Sequence, residues 1–222
     1  MKKNLITSLV VVLVTTLQVS AQNVTFGAKA GLNLATLTGD IDGVKTLPGY
    51  HVGAIADIKL SEKFSIQPEL LYSLEGGKSS FSYEDEFTLL KTKERYELGY
   101  LNLPIMAKYY IADGLSLEGG PQIGYLLHAN GHYDIKANFG DEISIDESGK
   151  ENIKDFVEKI NVGVNFGLGY QLKNNLFFQA RYHLGLTNIN KDLQGEDFEE
   201  EPAESVGKIK NSSFQISVGY RF

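Results

Sequence analysis

Apolar and polar residues alternate strictly along much of this chain, and that two-residue rhythm limits its fold more than any other feature. At the C-terminal end Phe214, Ile216, Val218, Tyr220 and Phe222 are separated by Gln215, Ser217, Gly219 and Arg221. Residues 161–171 repeat the pattern, with Val162, Val164, Phe166, Leu168 and Tyr170 against glycine, asparagine and glutamine. Residues 176–187 do so again, with Leu176, Phe178, Ala180, Tyr182, Leu184 and Leu186 on one side. A helix would spread such residues around its whole circumference, whereas a strand gathers them on one face.

Five noisier segments share the period: 23–34, 49–60, 63–75, 96–110 and 114–128. Pro68, Pro104 and Pro121 fall inside three of them, each removing a ladder donor, so bulges are expected there. The total is eight strands. Their connections alternate in length. Ser61-Glu62, Ala112-Asp113 and Lys173-Asn174 are tight turns, while the links near 35–48, 76–95, 129–158 and 188–208 are long and charged. This asymmetry fits an all-β, eight-stranded antiparallel up-and-down transmembrane β-barrel with short periplasmic turns and long extracellular loops.

Alternation alone does not say which face is inside, since a secreted lipocalin-like binder would place the apolar set inward. Three features favour the apolar face turned to lipid. The polar face carries many glycines (Gly27, Gly31, Gly163, Gly167, Gly169 and Gly219 among them) with isolated long charges, which suits a cramped lumen. Tyr50, Tyr72, Tyr100, Tyr109, Tyr110, Tyr125, Tyr170 and Tyr220 fall near strand ends, where an interfacial girdle needs them. The last strand ends on Tyr220 and Phe222, which looks like the insertion signal read by the barrel-insertion machinery.

Several phrases also resemble the Bacteroidetes outer-membrane β-barrel family that includes the PorT-like proteins. They are Gln67-Pro68-Glu69-Leu70-Leu71-Tyr72-Ser73, Tyr100-Leu101-Asn102-Leu103-Pro104, Lys108-Tyr109-Tyr110, Gly120 to Leu127, Arg181 to Ile189, and Gly219 to Phe222. The resemblance implies fold and location, and it carries over no functional residue. An accessory role in protein secretion or gliding is one expectation it raises. A narrow pore is another reading of the same barrel.

The alternation points Lys29, Asp57, Lys59, Glu69, Lys108, Glu118, Arg181 and Arg221 inward. Charges removed from water must be paired, so these eight are expected to form a structural network that fills the lumen. His51, His128, His132 and His183 are the available general bases, with the first three expected near the outer rim, and no spacing of a catalytic triad accompanies them. No catalytic, cofactor-binding or metal-binding residue is therefore assigned. The acidic links could hold an extracellular cation or meet a protein, although no calcium-loop spacing occurs. With Lys+Arg 21 against Asp+Glu 28 and a net charge of −7, nucleic acid is excluded as a partner. The expected environment is the lipid bilayer of the outer membrane, occupied as a monomer.

Residues 1–21 read as a cleaved signal peptide, with Lys2 and Lys3, an apolar run from Leu5, and Val19-Ser20-Ala21 at the exit, leaving 22–222 as the barrel domain. The run is shorter than the roughly 20 residues a spanning helix needs. Mass spectrometry of the protein from native membranes should give a chain beginning at Gln22. Retention of Met1 would refute the cleavage.

Overall fold

The computed structural model describes residues 24–41, 43–85, 88–139, 143–191 and 207–222. The segment read as a signal peptide and residues 192–206 of the last acidic link lie outside them. Among the described residues ten strands form, all paired antiparallel. Eight are long: β1 (Val24–Gly39), β3 (Leu47–Lys59), β4 (Phe64–Glu84), β5 (Thr88–Ala112), β6 (Leu115–Phe139), β8 (Ile160–Gln171), β9 (Leu176–Gly185) and β10 (Ile209–Arg221). Their order is β4-β3-β1-β10-β9-β8-β6-β5, and β5 pairs back to β4, so the ring closes. The closing seam joins β1 to β10 in a continuous register from Gly27 with Arg221 to Gly39 with Ile209. The two short strands, β2 (Val44–Lys45) on β4 and β7 (Ile143–Asn152) on β6, are additions to the ring.

Both terminal strands of the ring meet at the end with the tight turns. Gly114 and Asn175 take positive φ there, at +76° and 68°, the conformation that glycine and asparagine tolerate best. The expected bulges at the prolines are not found. Pro68 pairs with Ile105, Pro104 with Gln122 and Pro121 with Val164 without a register shift. The shifts lie between Gly99 and Tyr100 and between Tyr110 and Ala112. A proline deletes one ladder bond, and the flanking pairs hold the register through it.

At the opposite end, two links read as loops are largely strand. β4 and β5 stay paired out to Glu84 and Leu89, and β6 continues to Phe139 with β7 folded back along it. β5 has 25 residues, whereas crossing the hydrocarbon takes about 9–11. More than half of that strand therefore stands outside the apolar band.

The fold is inside-out relative to a soluble barrel. Outward positions carry Leu103, Phe166, Leu168, Ile216 (57% exposed) and Val218, while inward Lys29, Glu69, Arg181 and Gln179 are 2–3% exposed. Tyr50, Tyr109, Tyr125, Tyr170 and Tyr220 stand on the outside as a girdle requires. Tyr100 does not: it is 1% exposed and turned into the barrel. Tyr110 is half-buried and lies beneath Lys108 Nζ, 5.7 Å from the ring centroid. Both share the inward phase of Asn102 and Lys108 on β5, so the alternation itself keeps them out of the girdle.

Arginine placed in the apolar band by Ile216→Arg should lower the folding free energy in lipid vesicles by about 2–4 kcal/mol. Phe81→Arg, on the projecting hairpin, should change it by less than about 1 kcal/mol. Urea titration of both variants decides the point, and equal effects would contradict the lipid-facing assignment.

Candidate functional site

The interior of the barrel is the most concentrated chemistry in the molecule. Arg181 of β9 sits at its centre, 2% exposed. Its Nη1 and Nη2 donate to Glu69 at 2.9 and 2.7 Å, and its Nε donates to Glu118 at 2.9 Å. Lys29 lies 2.7 Å from Glu69 and also donates to Gln179 at 3.2 Å, while Gln179 donates to both oxygens of Glu118. Lys108 completes Glu118 at 3.2 Å and lies 3.8 Å from Asp57, and Arg221 reaches Asp57 at 2.5 Å. Gln67 bridges the two halves, donating to Glu69 at 2.6 Å and accepting from Lys108 and Arg221. Four cations and three carboxylates from seven different strands thus lock together. Bidentate arginine pairing of this kind is the strong form of a charged hydrogen bond.

Seven of the eight charges read as inward are joined this way. Lys59 is not. Its side chain is exposed and lines the short-turn mouth with Glu62, Lys63 and Arg221. It shares the inward parity of Asp57 but lies where the strand leaves the barrel, so solvent takes the place of a partner. Tyr220 and Phe222 stand outward on β10, their rings 5.8 Å apart.

Room for these long side chains comes from glycines on facing strands. A methyl group added at Gly169 would overlap the Glu118 carboxylate, one at Gly163 the His183 ring, and one at Gly219 the Phe177 ring. Phe177, which the alternation left unremarked, is 1% exposed and stacks 5.4 Å from the Arg221 guanidinium.

Above the charges lies a neutral polar tier. His51 Nδ1 and Asn33 Oδ1 are 2.6 Å apart, and His51 Nε2 and Ser217 Oγ are 2.7 Å apart. Serine, histidine and asparagine on three strands reproduce the contacts of a nucleophile, its base and an orienting group. All three are at most 2% exposed, so a substrate has no approach to them in this form. No spacing could have revealed the cluster, because Ser217 lies 166 positions from His51. Nor is His51 at the outer rim as expected: it lies deep in the lumen. The other histidines are held apart, His128 against the Tyr72 hydroxyl at 2.9 Å, His132 against Glu97 at 3.2 Å, and His183 against Asn165 at 3.1 Å. Glu75, also missed, is buried and accepts from Asn102 at 2.9 Å and from Asn211.

An apolar layer closes the end with the long hairpins. Leu37, Leu98, Tyr100, Leu126, Ala129, Val157 and Ile189 are buried together, with Ile153 and Ile209 packed on them. After a short 3-10 turn, Lys154–Phe156, Val157 bridges to Asn190, and this brings Val157 and Ile189 of the later links into the layer. Tyr96 joins this layer from the projecting hairpin. Burial, reinforced by the Glu94 carboxylate it donates to, pushes its hydroxyl pKa up to about 12.

Compared with known proteins, residues 20–191 match the family model described as outer membrane protein beta-barrel domain. Among solved structures, the chain is similar to Ail, the attachment invasion locus protein of Yersinia pestis, at 14% identity over 90% of this chain and 100% of that one, with a TM-score of 0.43. It is similar to Neisserial surface protein A at 12% identity, covering 89% and 97%, with a TM-score of 0.42. The outer membrane protease OmpT from Escherichia coli gives 10% identity, 90% and 94% coverage, and a TM-score of 0.39. A search among curated proteins returns no match.

Removing Arg181 strands two buried carboxylates, a change that costs about 3–5 kcal/mol. Arg181→Met should therefore lower stability in lipid by that amount, and adding Glu69→Gln should recover part of it. An unchanged urea midpoint for Arg181→Met would show that the network contributes nothing.

Proposed function

Because this chain belongs to the outer membrane protein beta-barrel domain family and resides in the cell outer membrane, we propose that it is a filled, non-conducting and non-catalytic barrel that acts through its extracellular surface. The observation that carries this reading is the double obstruction of the lumen. An ion entering from the long-hairpin end meets the apolar layer around Leu98 and Leu126, and then the Arg181 network. A pore of eight strands has little free width to begin with, and here bulky side chains occupy it. What remains accessible is the sheet of β4, β5, β6 and β7 beyond the membrane, which supplies a broad platform for a partner.

Export through a cleaved signal peptide, folding by the barrel-insertion machinery with Tyr220 and Phe222 as its signal, and an accessory role among PorT-like proteins belong to the same reading. The sequence phrases quoted above support the last of these. Purified protein refolded into planar bilayers should give a flat current trace at moderate voltage. Steady single-channel conductance would overturn the filled-barrel reading in favour of a pore.

A further inference from the structure

Just beyond the apolar band the outer wall carries basic side chains in a single register row. Lys45 of β2 is opposite Lys78 of β4, Lys78 opposite Arg95 of β5, Arg95 opposite His132 of β6, and His132 opposite Lys150 of β7. Neighbouring strands are about 4.7–4.9 Å apart, and like charges directly opposite one another in a ladder are destabilising. Three consecutive cations, Lys45, Lys78 and Arg95, therefore oppose the pairing they decorate, and His132 and Lys150 continue the basic row across two more strands. Lys93 stands two residues from Arg95 on the same face and thickens the row.

The protein itself compensates little of this charge. Among the described residues, Lys78 and Lys93 have no carboxylate within ion-pair distance, and Arg95 reaches only Glu97, at 3.2 Å, which His132 also contacts at 3.2 Å. Farther along the same hairpins, Lys91 is paired with Glu84 at 3.8 Å and Lys136 with Asp146 at 2.9 Å. The unpaired cations are thus the ones nearest the membrane, in a chain whose net charge is −7. A groove of about 450 Å³ runs between them, bordered by Lys45, Lys78, Lys93, Arg95 and His132. Two carboxylates, Glu94 and Asp134 (the residue opposite Lys93 on β6), are also on its wall but not within ion-pair distance of Lys78 or Lys93.

The height of the row suggests what completes it. Lys78 follows the lipid-facing Leu74 by four residues on one face of β4. Four residues span about 13 Å of strand, or about 10 Å of height at a barrel tilt of roughly 40°. The polar shell of a bilayer extends about 5–8 Å beyond the hydrocarbon, and lysine or arginine side chains bend readily toward it. We propose that Lys45, Lys78, Lys93, Arg95 and Lys150 form a docking row for the phosphate groups of anionic lipid head groups in the surrounding outer leaflet. Lipid phosphates supply the counter-charge that the ladder lacks, and they fix the depth and rotation of the barrel in the membrane.

The proposal rests on the bilayer-embedded reading, so insertion is scored separately by protease protection. The full chain is refolded into phosphatidylcholine vesicles holding a trace of spin-labelled phosphatidylglycerol or spin-labelled phosphatidylcholine. The wild-type protein should immobilise the anionic lipid about fivefold more strongly, as about 1 kcal/mol of surface attraction implies. The exposed triple variant Lys78→Gln/Lys93→Gln/Arg95→Gln should insert normally and lose that preference, while Lys91→Gln/Lys136→Gln should keep it. Equal preference in the triple variant, or none in the wild type, would overturn the docking row and leave the embedded barrel intact. Release of the labelled lipid by inorganic phosphate, but not by chloride of equal ionic strength, would reassign the site to free phosphate and equally refute it. Failure of every protein to insert would instead sink the membrane reading itself.

Discussion

Hydrocarbon offers a backbone no hydrogen-bonding partner, and each unpaired amide placed in it costs several kcal/mol. A chain that crosses lipid with strands must consequently close its sheet. Here closure is achieved by the pairing of β1 with β10, the seam that joins residues almost two hundred positions apart. Everything else follows from that seam. It sets an even count of long strands, brings the ring's first and last strands to one end, and divides every strand into a lipid side and a lumen side. Without it the exposed Leu103, Phe166 and Ile216 would be a solubility hazard. With it they are the membrane contact.

Closure then creates the second problem, a narrow interior from which water is mostly excluded. The sequence answers with charge. Ionised groups in such a place are tolerable only when paired and fully hydrogen-bonded, and Arg181 engages two carboxylates with three of its nitrogens. Glycines opposite the long side chains are the steric counterpart, as at Gly169 beside Glu118. Higher up the solution changes. Leu98, Leu126 and Ile189 form a small apolar core of the ordinary kind, so the molecule holds an inverted interior within the membrane and a conventional one just outside it.

The projecting hairpins carry the surface available to partners. Their outer face continues the lipid-facing side of the barrel, which places Lys78 and Arg95 beside head groups. Their other face bears Phe81, Tyr83 and Ile145, all exposed. Two chemically distinct surfaces thus arise from one strand pair, because the two-residue period persists after the strands leave the membrane.

Much of this was legible without coordinates. Strand number, the tight turns and the inward set from Lys29 to Arg221 come directly from the period of two, since parity alone decides which way a side chain faces. Parity fails where its premises do. Lys59 keeps the inward phase but lies at the mouth, and the link 76–95 is strand rather than loop because its polar residues mask the alternation. Tyr100, expected in the girdle from its nearness to a strand end, instead obeys parity and shares the inward phase of Lys108. The amino-acid sequence by itself determined an inside-out barrel: once the rhythm of two is written, only lipid outside and paired charges inside can satisfy it. Which charges meet, that serine, histidine and asparagine touch, that apolar link residues cap the lumen and that five basic residues align across five strands were decided by tertiary structure alone. Those are contacts between residues tens to more than a hundred positions apart, and they exist only once closure and register bring the strands side by side.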